Sequence, residues 1–199
     1  MGNKLFFPLA RDWTCIEINA EYAKVLKASF PKAEVKVADS FTLLQDKSEH
    51  DLILADCPQG FYGKGQSYCE HFEFLPLLLE TLYKRATLFL NVNLQPHNAI
   101  KNQVVGKDQY GMTNFGNWIE RRHKFYGNKE ERMSEQFVKE FYRAYLLNRG
   151  FTLDEFKIFL EPSKIIGHPP FIARCILLIE PIQEKHNPIG NNPAKQTIK

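Results

Sequence analysis

The chain has 199 residues, enough for one ordinary domain and short for two. Hydrophobic residues make up 44% and charged residues 25%, close to the globular average, and no apolar run approaches ~18 residues, which excludes a membrane-spanning helix. Lys plus Arg at 26 against Asp plus Glu at 23 gives a net charge of +3, which permits a nucleic-acid partner without requiring one, because dedicated binders cluster their basic residues.

The N-terminus shows no signal-peptide pattern: after Lys4 only a short apolar patch, residues 5–10, precedes Arg11 and Asp12. Met1-Gly2-Asn3 starts like a myristoylation site, but Phe6 stands where Ser or Thr is required. Cys15, Cys57, Cys69 and Cys175 are scattered and form no CxxC pair. That argues against a disulfide framework and a zinc site, and for a reducing compartment. The expectation is a cytoplasmic domain that does not engage a membrane.

In chain order, residues 13–18 read as a strand that ends at Asn19, and Asn19 caps a helix carrying Tyr22, Val25, Leu26 and Phe30 at helical spacing. Pro31 stops that helix. Residues 34–38 alternate as a second strand and run into Asp39-Ser40-Phe41. Residues 51–55 are apolar as a buried parallel strand should be, and Pro58 and Gly60 punctuate the loop after them. Residues 72–85 form a helix with Pro76 in its first turn, and residues 86–92 a fourth strand. Residues 93–133 are polar with scattered aromatics and read as an insertion holding one short helix near Trp118. Ser134 caps an amphipathic helix in which Phe137, Phe141, Tyr142, Tyr145 and Leu146 line one face, and Gly150 closes it. Residues 153–160 and 171–179 form an antiparallel pair. One domain is therefore expected over residues 1–180, with residues 181–199 a disordered tail. The expected architecture is a single α/β sheet, mostly parallel, with an antiparallel pair at the C-terminal edge.

In such sheets ligands bind outside the carboxyl ends of the strands. Glu17, Asp39 and Asp56 each end or follow a strand, about one strand–helix unit apart. Any one of them taken alone reads better as a solvated loop acid or a helix cap. Three in register favour a nucleoside site, because strand-end carboxylates accept hydrogen bonds from ribose hydroxyls and an adenine amino group.

This stretch resembles the nucleoside end of a class I S-adenosylmethionine-dependent methyltransferase with a Rossmann-like sheet. Ile16-Glu17-Ile18-Asn19 is similar to the family's second motif, Val37-Ala38-Asp39-Ser40-Phe41 to its third, and Leu54-Ala55-Asp56-Cys57-Pro58-Gln59-Gly60-Phe61-Tyr62 to its fourth. The resemblance implies S-adenosyl-L-methionine as cofactor, held by Gly2, Glu17, Ile18, Asp39, Ser40 and Asp56. The family's first strand and most of its glycine-rich first motif are not matched: Met1-Gly2-Asn3-Lys4 looks like the last glycine of that turn and the helix after it. In the family that strand lies at the sheet centre, and a sheet without it exposes unpaired backbone groups that cost about 1–3 kcal/mol each when buried. A shortened chain, a strand supplied by a second polypeptide or a homodimer partner, and a sheet that closes without it all remain open.

The fourth motif resembles the [D/N/S]-P-P-[Y/F/W] loop of adenine- and cytosine-amino methyltransferases, in part only, since the aromatic arrives late. The resemblance implies Asp56 and Pro58 as the acceptor-amine loop and Phe61 or Tyr62 as the stacking ring. Cys57 precedes Pro58, whereas the nucleophile of cytosine-carbon methyltransferases follows its proline, so an inert Cys57 is expected. Gln59, Glu70 and His71 are expected at the substrate mouth; Cys69, Glu70 and His71 lack the second cluster a metal needs. Arg121 and Arg122, interleaved with Trp118, Phe125 and Tyr126, suit DNA or RNA phosphates with base stacking; a solvated helix face packing Trp118 and Phe125 inward fits the same pattern. The rival reading of the whole chain is a non-catalytic methyltransferase-like subunit that binds a partner protein or nucleic acid.

Overall fold

Thr14–Glu17 forms β1, and its carboxyl end turns directly into α1, Ala20–Ser29. The turn is short because Asn19 closes it: its side chain accepts from the N–H groups of Glu21 and Tyr22 at 2.9 and 3.3 Å, satisfying two of the donors every helix start leaves open. The computed structural model describes residues 11–44, 50–55, 61–62, 68–69, 71–95, 115–130, 132–161 and 172–182. Within these, β2 is Glu34–Val37, α2 Ser40–Leu43, β3 Leu52–Ala55, β4 Phe61–Tyr62, β5 Tyr68–Cys69, α3 Phe74–Thr81 and β6 Ala86–Asn93. The helix expected near Trp118 is α4, Phe115–Tyr126; α5 is Glu135–Leu147, and β7 and β8 are Phe151–Glu161 and Ile172–Pro181.

The single, mostly parallel sheet is corrected by the strand pairings. Among the described residues β1 pairs only with β2, in parallel, as a two-stranded sheet. A separate four-stranded sheet has the order β3-β6-β8-β7, and β4 with β5 makes a small antiparallel hairpin. The larger sheet is mixed: β3 and β6 run parallel, while β6–β8 and β8–β7 are antiparallel. The longest ladders are the antiparallel ones because β8 returns against β6 along its whole length, from Ala86 opposite Ile179 to Asn93 opposite Ile172.

The core lies on one face of this mixed sheet. Alternation puts Ala86, Leu88, Leu90 and Val92 of β6 on the same side as their register partners Ile179, Leu177, Cys175 and Ala173 of β8, and all eight are buried. The same cluster contains Leu75, Leu78 and Leu79 of α3, Trp118 and Tyr126 of α4, and Val138, Tyr142 and Leu146 of α5. Ser134 caps α5 through the N–H of Phe137, as the sequence predicts. The stripe that α5 buries deepest is Val138, Tyr142 and Leu146; Phe137, Phe141 and Tyr145 flank it half-buried. Gly150, at φ +78°, takes the left-handed conformation that lets the chain leave the helix and start β7.

The β1–α1–β2 lobe is far less covered. Ala23, Phe30 and Ala33 are buried, but Ile18, Tyr22, Val25 and Val37 are each more than half exposed. Phe41 of α2 meets Phe74 of α3 edge to face at 6.0 Å between ring centres. Among the described residues no helix is long and apolar enough to cross a membrane. β8 runs to Pro181, one residue into the expected tail, and the expectation for residues 183–199 falls outside the described residues.

Replacing Leu88, fully buried at the centre of β6, by Ala should lower unfolding free energy by about 2–5 kcal/mol in urea titration. The same change at Leu147, exposed on α5, should cost less than about 0.5 kcal/mol.

Candidate functional site

The carboxyl ends of β1 and β2 come together through one backbone bond. Ala38 N–H donates to the Glu17 carbonyl at 3.1 Å, which places Asp39 one residue beyond the join. The Glu17 carboxylate accepts from Asn19 N–H at 2.8 Å, and the Asp39 carboxylate accepts from Phe41 N–H at 3.0 Å as the N-cap of α2, whose first residue is Ser40. Two acids therefore sit side by side at the ends of parallel strands, each ordering a helix entry, with Ile18 exposed next to Glu17. A carboxylate offers about four lone-pair positions, so one oxygen held by a backbone N–H leaves capacity for hydroxyl or amino donors of a ligand. Gly2, Asp56, Pro58 and Gln59 fall outside the described residues, as do Cys57 and Glu70. Ala55, the residue before Asp56, ends β3, and Phe61 and Tyr62 make up β4.

Below the β4–β5 hairpin the chain enters the core at His71, and here the expectation of a substrate-mouth histidine is corrected. His71 is fully buried. Its Nε2 lies 2.6 Å from the Tyr142 hydroxyl and 3.2 Å from the Tyr126 hydroxyl, and those two hydroxyls are 3.2 Å apart. The triad joins the entry to α3, the end of α4 and the middle of α5. Phe72 and Phe125 pack around the imidazole edge to face. Burial alone pushes the pKa of His71 down to about 3, so the ring is neutral at ordinary pH. Nδ1, on the other side of the ring, is buried and has no hydrogen-bond partner among the described residues.

Arg122 is likewise corrected, from a phosphate contact to an internal clamp. It is fully buried, and its guanidinium donates to the carbonyls of Leu94 and Glu130, both at 3.2 Å. Met133 N–H donates to the same Leu94 carbonyl at 2.8 Å. The end of β6, the helix α4 and the approach to α5 are thus tied at one point. Arg121, the next residue, is half-exposed and pairs with Glu73 at 3.1 Å; the other Glu73 oxygen accepts from Cys69 N–H at 2.8 Å. Trp118 packs inward, as the solvated-face reading of this helix anticipates, and Phe125 stacks on Phe72 at 4.8 Å.

The sequence pattern does not announce the roles of Tyr126, Tyr142 and Glu73. Tyr142 reads as a core aromatic and Tyr126 as one of the rings among the basic residues of α4, and their partner is 55 and 71 residues away. Glu73 reads as a helix-start acid, and no local spacing announces that it holds Cys69. Among the described residues no group of three or more His, Cys, Asp or Glu side chains could hold a metal ion. Cys15, Cys69 and Cys175 are free thiols, and burial pushes Cys175 up to about 12.

No protein-family model matches the chain, and a search of curated proteins returns no match. Among solved structures, the plantazolicin methyltransferase BamL, in complex with a triazolic desmethylPZN analog and SAH, is similar at TM-score 0.50 and 10% identity, over 91% of this chain and 73% of that one. M. jannaschii TYW2 in complex with AdoMet is similar at TM-score 0.48 and 14% identity, over 88% of this chain and 63% of that one, so the chain spans less than two thirds of that protein. A SAM-dependent methyltransferase from Methanosarcina mazei is similar at TM-score 0.46 and 12% identity, over 86% of this chain and 82% of that one. At these identities the likeness is one of fold: the chain has an α/β fold of the kind found in BamL.

The buried neutral His71 makes stability depend on pH with a definite sign. Its folded pKa is depressed below the unfolded value near 6.5, so its contribution is complete above pH 6.5 and is lost as pH falls toward 3. Between pH 6 and 4.5 the wild-type chain should lose up to about 1.4 kcal/mol per pH unit more than a His71→Gln variant does, measured by urea unfolding at each pH. Parallel curves for the two proteins would contradict a buried neutral imidazole.

Proposed function

We propose that the chain is the catalytic part of an S-adenosylmethionine-dependent methyltransferase whose acceptor is an amino group of a nucleic-acid base. The observation that carries this reading is the pairing of Glu17 and Asp39 at the carboxyl ends of adjacent parallel strands, in a fold like that of BamL. The donor set fits the cofactor: ribose hydroxyls and the adenine amino group are hydrogen-bond donors, and the two carboxylates are acceptors. Gly2, Ile18, Ser40 and Asp56 complete the set that the motif resemblance assigns to the cofactor.

When bound, the cofactor supplies an electrophilic methyl group on a sulfonium. The protein's part is to position the acceptor, because in-line displacement gains most from alignment. In this reading Asp56 and Pro58 hold the acceptor amine, so that its lone pair faces the methyl group. Phe61 or Tyr62 stacks on the extruded base, and Gln59 lies on the same loop. Arg121, half-exposed on α4, is the residue of the expected basic pair that reaches solvent and can meet a phosphate. Cytoplasmic location follows from the thiol pattern and belongs to the same proposal.

A second reading is supported by the exposed apolar residues around β1 and β2. β1 has one strand neighbour and β3 has one strand neighbour among the described residues, and Ile18, Tyr22, Val25 and Val37 are more than half exposed. A strand edge without a partner among the described residues, flanked by apolar side chains, suits the addition of another strand. In that case the chain works as a methyltransferase-like subunit, and a strand from a second polypeptide or a second copy completes the sheet.

Calorimetric titration with S-adenosylmethionine and S-adenosylhomocysteine separates the two. The first reading expects micromolar binding that Glu17→Ala and Asp39→Ala each weaken by about tenfold or more, consistent with losing a charged acceptor. Asp56→Ala should then abolish transfer to a single-stranded oligonucleotide while sparing cofactor affinity. No heat and no thermal stabilisation, together with a dimer mass in size-exclusion chromatography, would favour the subunit reading.

A further inference from the structure

Among the described residues the hairpin that carries Phe61 and Tyr62 is two residues deep on each side: Phe61 pairs with Cys69 and Tyr62 with Tyr68. A ladder this short does not hold itself in water, so its position depends on what anchors it. One anchor is below it. Cys69 is fully buried, its carbonyl accepts from Phe72 N–H at 3.1 Å, and the chain continues at once into buried His71. The other anchor is lateral, and Glu73 makes it: one carboxylate oxygen accepts from the hairpin backbone at Cys69 N–H, the other from the Arg121 guanidinium on α4. Glu73 is the N-cap residue of α3, and its side chain does not cap that helix, so both carboxylate oxygens are turned to these two donors.

We propose that Glu73 and Arg121 are positioning residues that lock the β4–β5 hairpin to α4 and so set where Phe61 and Tyr62 meet the acceptor base. This rests on the methyltransferase reading above for the identity of the acceptor, but the mechanical lock does not. The Glu73–Arg121 pair is half-exposed on both sides, and pairs of that kind contribute little to global stability. What it joins is a short hairpin and a helix 48 residues later in the chain. The pair therefore belongs to local placement, whereas the His71–Tyr126–Tyr142 triad beneath it belongs to the core. It also changes the role of Arg121: in the free protein the guanidinium is held by Glu73, so a phosphate contact would share or replace that bond.

The test uses the full chain and the variants Arg121→Ala, Arg121→Lys and Glu73→Gln. Arg121→Ala is the stricter one, since the bonded partner of Cys69 stays in place. Hydrogen exchange of the backbone amides at residues 61, 62 and 68 should quicken by about tenfold in Arg121→Ala and Glu73→Gln, with the melting temperature within about 2 °C of wild type. Arg121→Lys, which keeps the cation, should restore most of the protection. With a single-stranded oligonucleotide as acceptor, KM should rise by about tenfold while kcat changes by about twofold or less, the pattern of a misplaced binding element. Unchanged exchange in Arg121→Ala, or exchange in Arg121→Lys as fast as in Arg121→Ala, would overturn the proposal. If the wild-type chain transfers no methyl group, the acceptor assignment fails, and the exchange measurements still decide the lock.

Discussion

Desolvation of polar groups at the junction of α3, α4 and α5 is the constraint on which the arrangement around the candidate acceptor site depends. His71, Tyr126, Tyr142 and Arg122 all lie inside the core, and each would be costly there without a partner. They meet the cost by bonding to one another and to carbonyls at element ends, so the helices can dock only where those bonds close. The triad fixes the entry to α3 against α4 and α5; Arg122 fixes α4 against the end of β6. Apolar packing alone tolerates sliding, because one aliphatic contact resembles another. A short hydroxyl–imidazole bond does not, and this is how an apparent insertion becomes part of the core.

The mixed sheet supplies the surface for this junction. One face of β6 and β8 is continuous aliphatic side chain, and the ring cluster around Phe72, Phe125 and Phe141 packs with it and seals the polar groups from water. Nδ1 of His71 remains without a partner among the described residues, a local cost that the surrounding packing must offset. The same cluster links Phe125, Tyr126, Phe141, Tyr142 and Tyr145 through successive ring contacts.

The β1–α1–β2 lobe follows a different economy. Its caps are complete, with Asn19 and Asp39 bonded to the helix starts, so local structure is secure. Its burial is not, since several large apolar side chains face solvent. Local hydrogen bonding and global burial are separate requirements, and this lobe meets the first more fully than the second. The strand-end acids sit there, and their geometry comes from the caps and the β1–β2 register rather than from core packing.

Most elements are legible in the sequence because their determinants are local. Asn19 and Ser134 announce helix starts, Gly150 announces a helix end, and the apolar runs of β3 and β6 mark strands, although among the described residues β3 lies at the edge of its sheet and is only half-buried. The spacing of Glu17 and Asp39, one strand–helix unit, is visible in the sequence, while their placement together rests on the β1–β2 pairing across that unit. The division into two sheets and the interior placement of His71 and Arg122 depend on contacts between residues far apart in the chain. A lone histidine before a helix and an arginine pair beside aromatics have the same local pattern whether they face water or the core. The sequence by itself determined the elements, their caps and the strand-end acids, because hydrogen bonds within a few residues decide those. Only the tertiary structure decided which polar side chains are buried and which strands pair, because that depends on which distant partners can satisfy them.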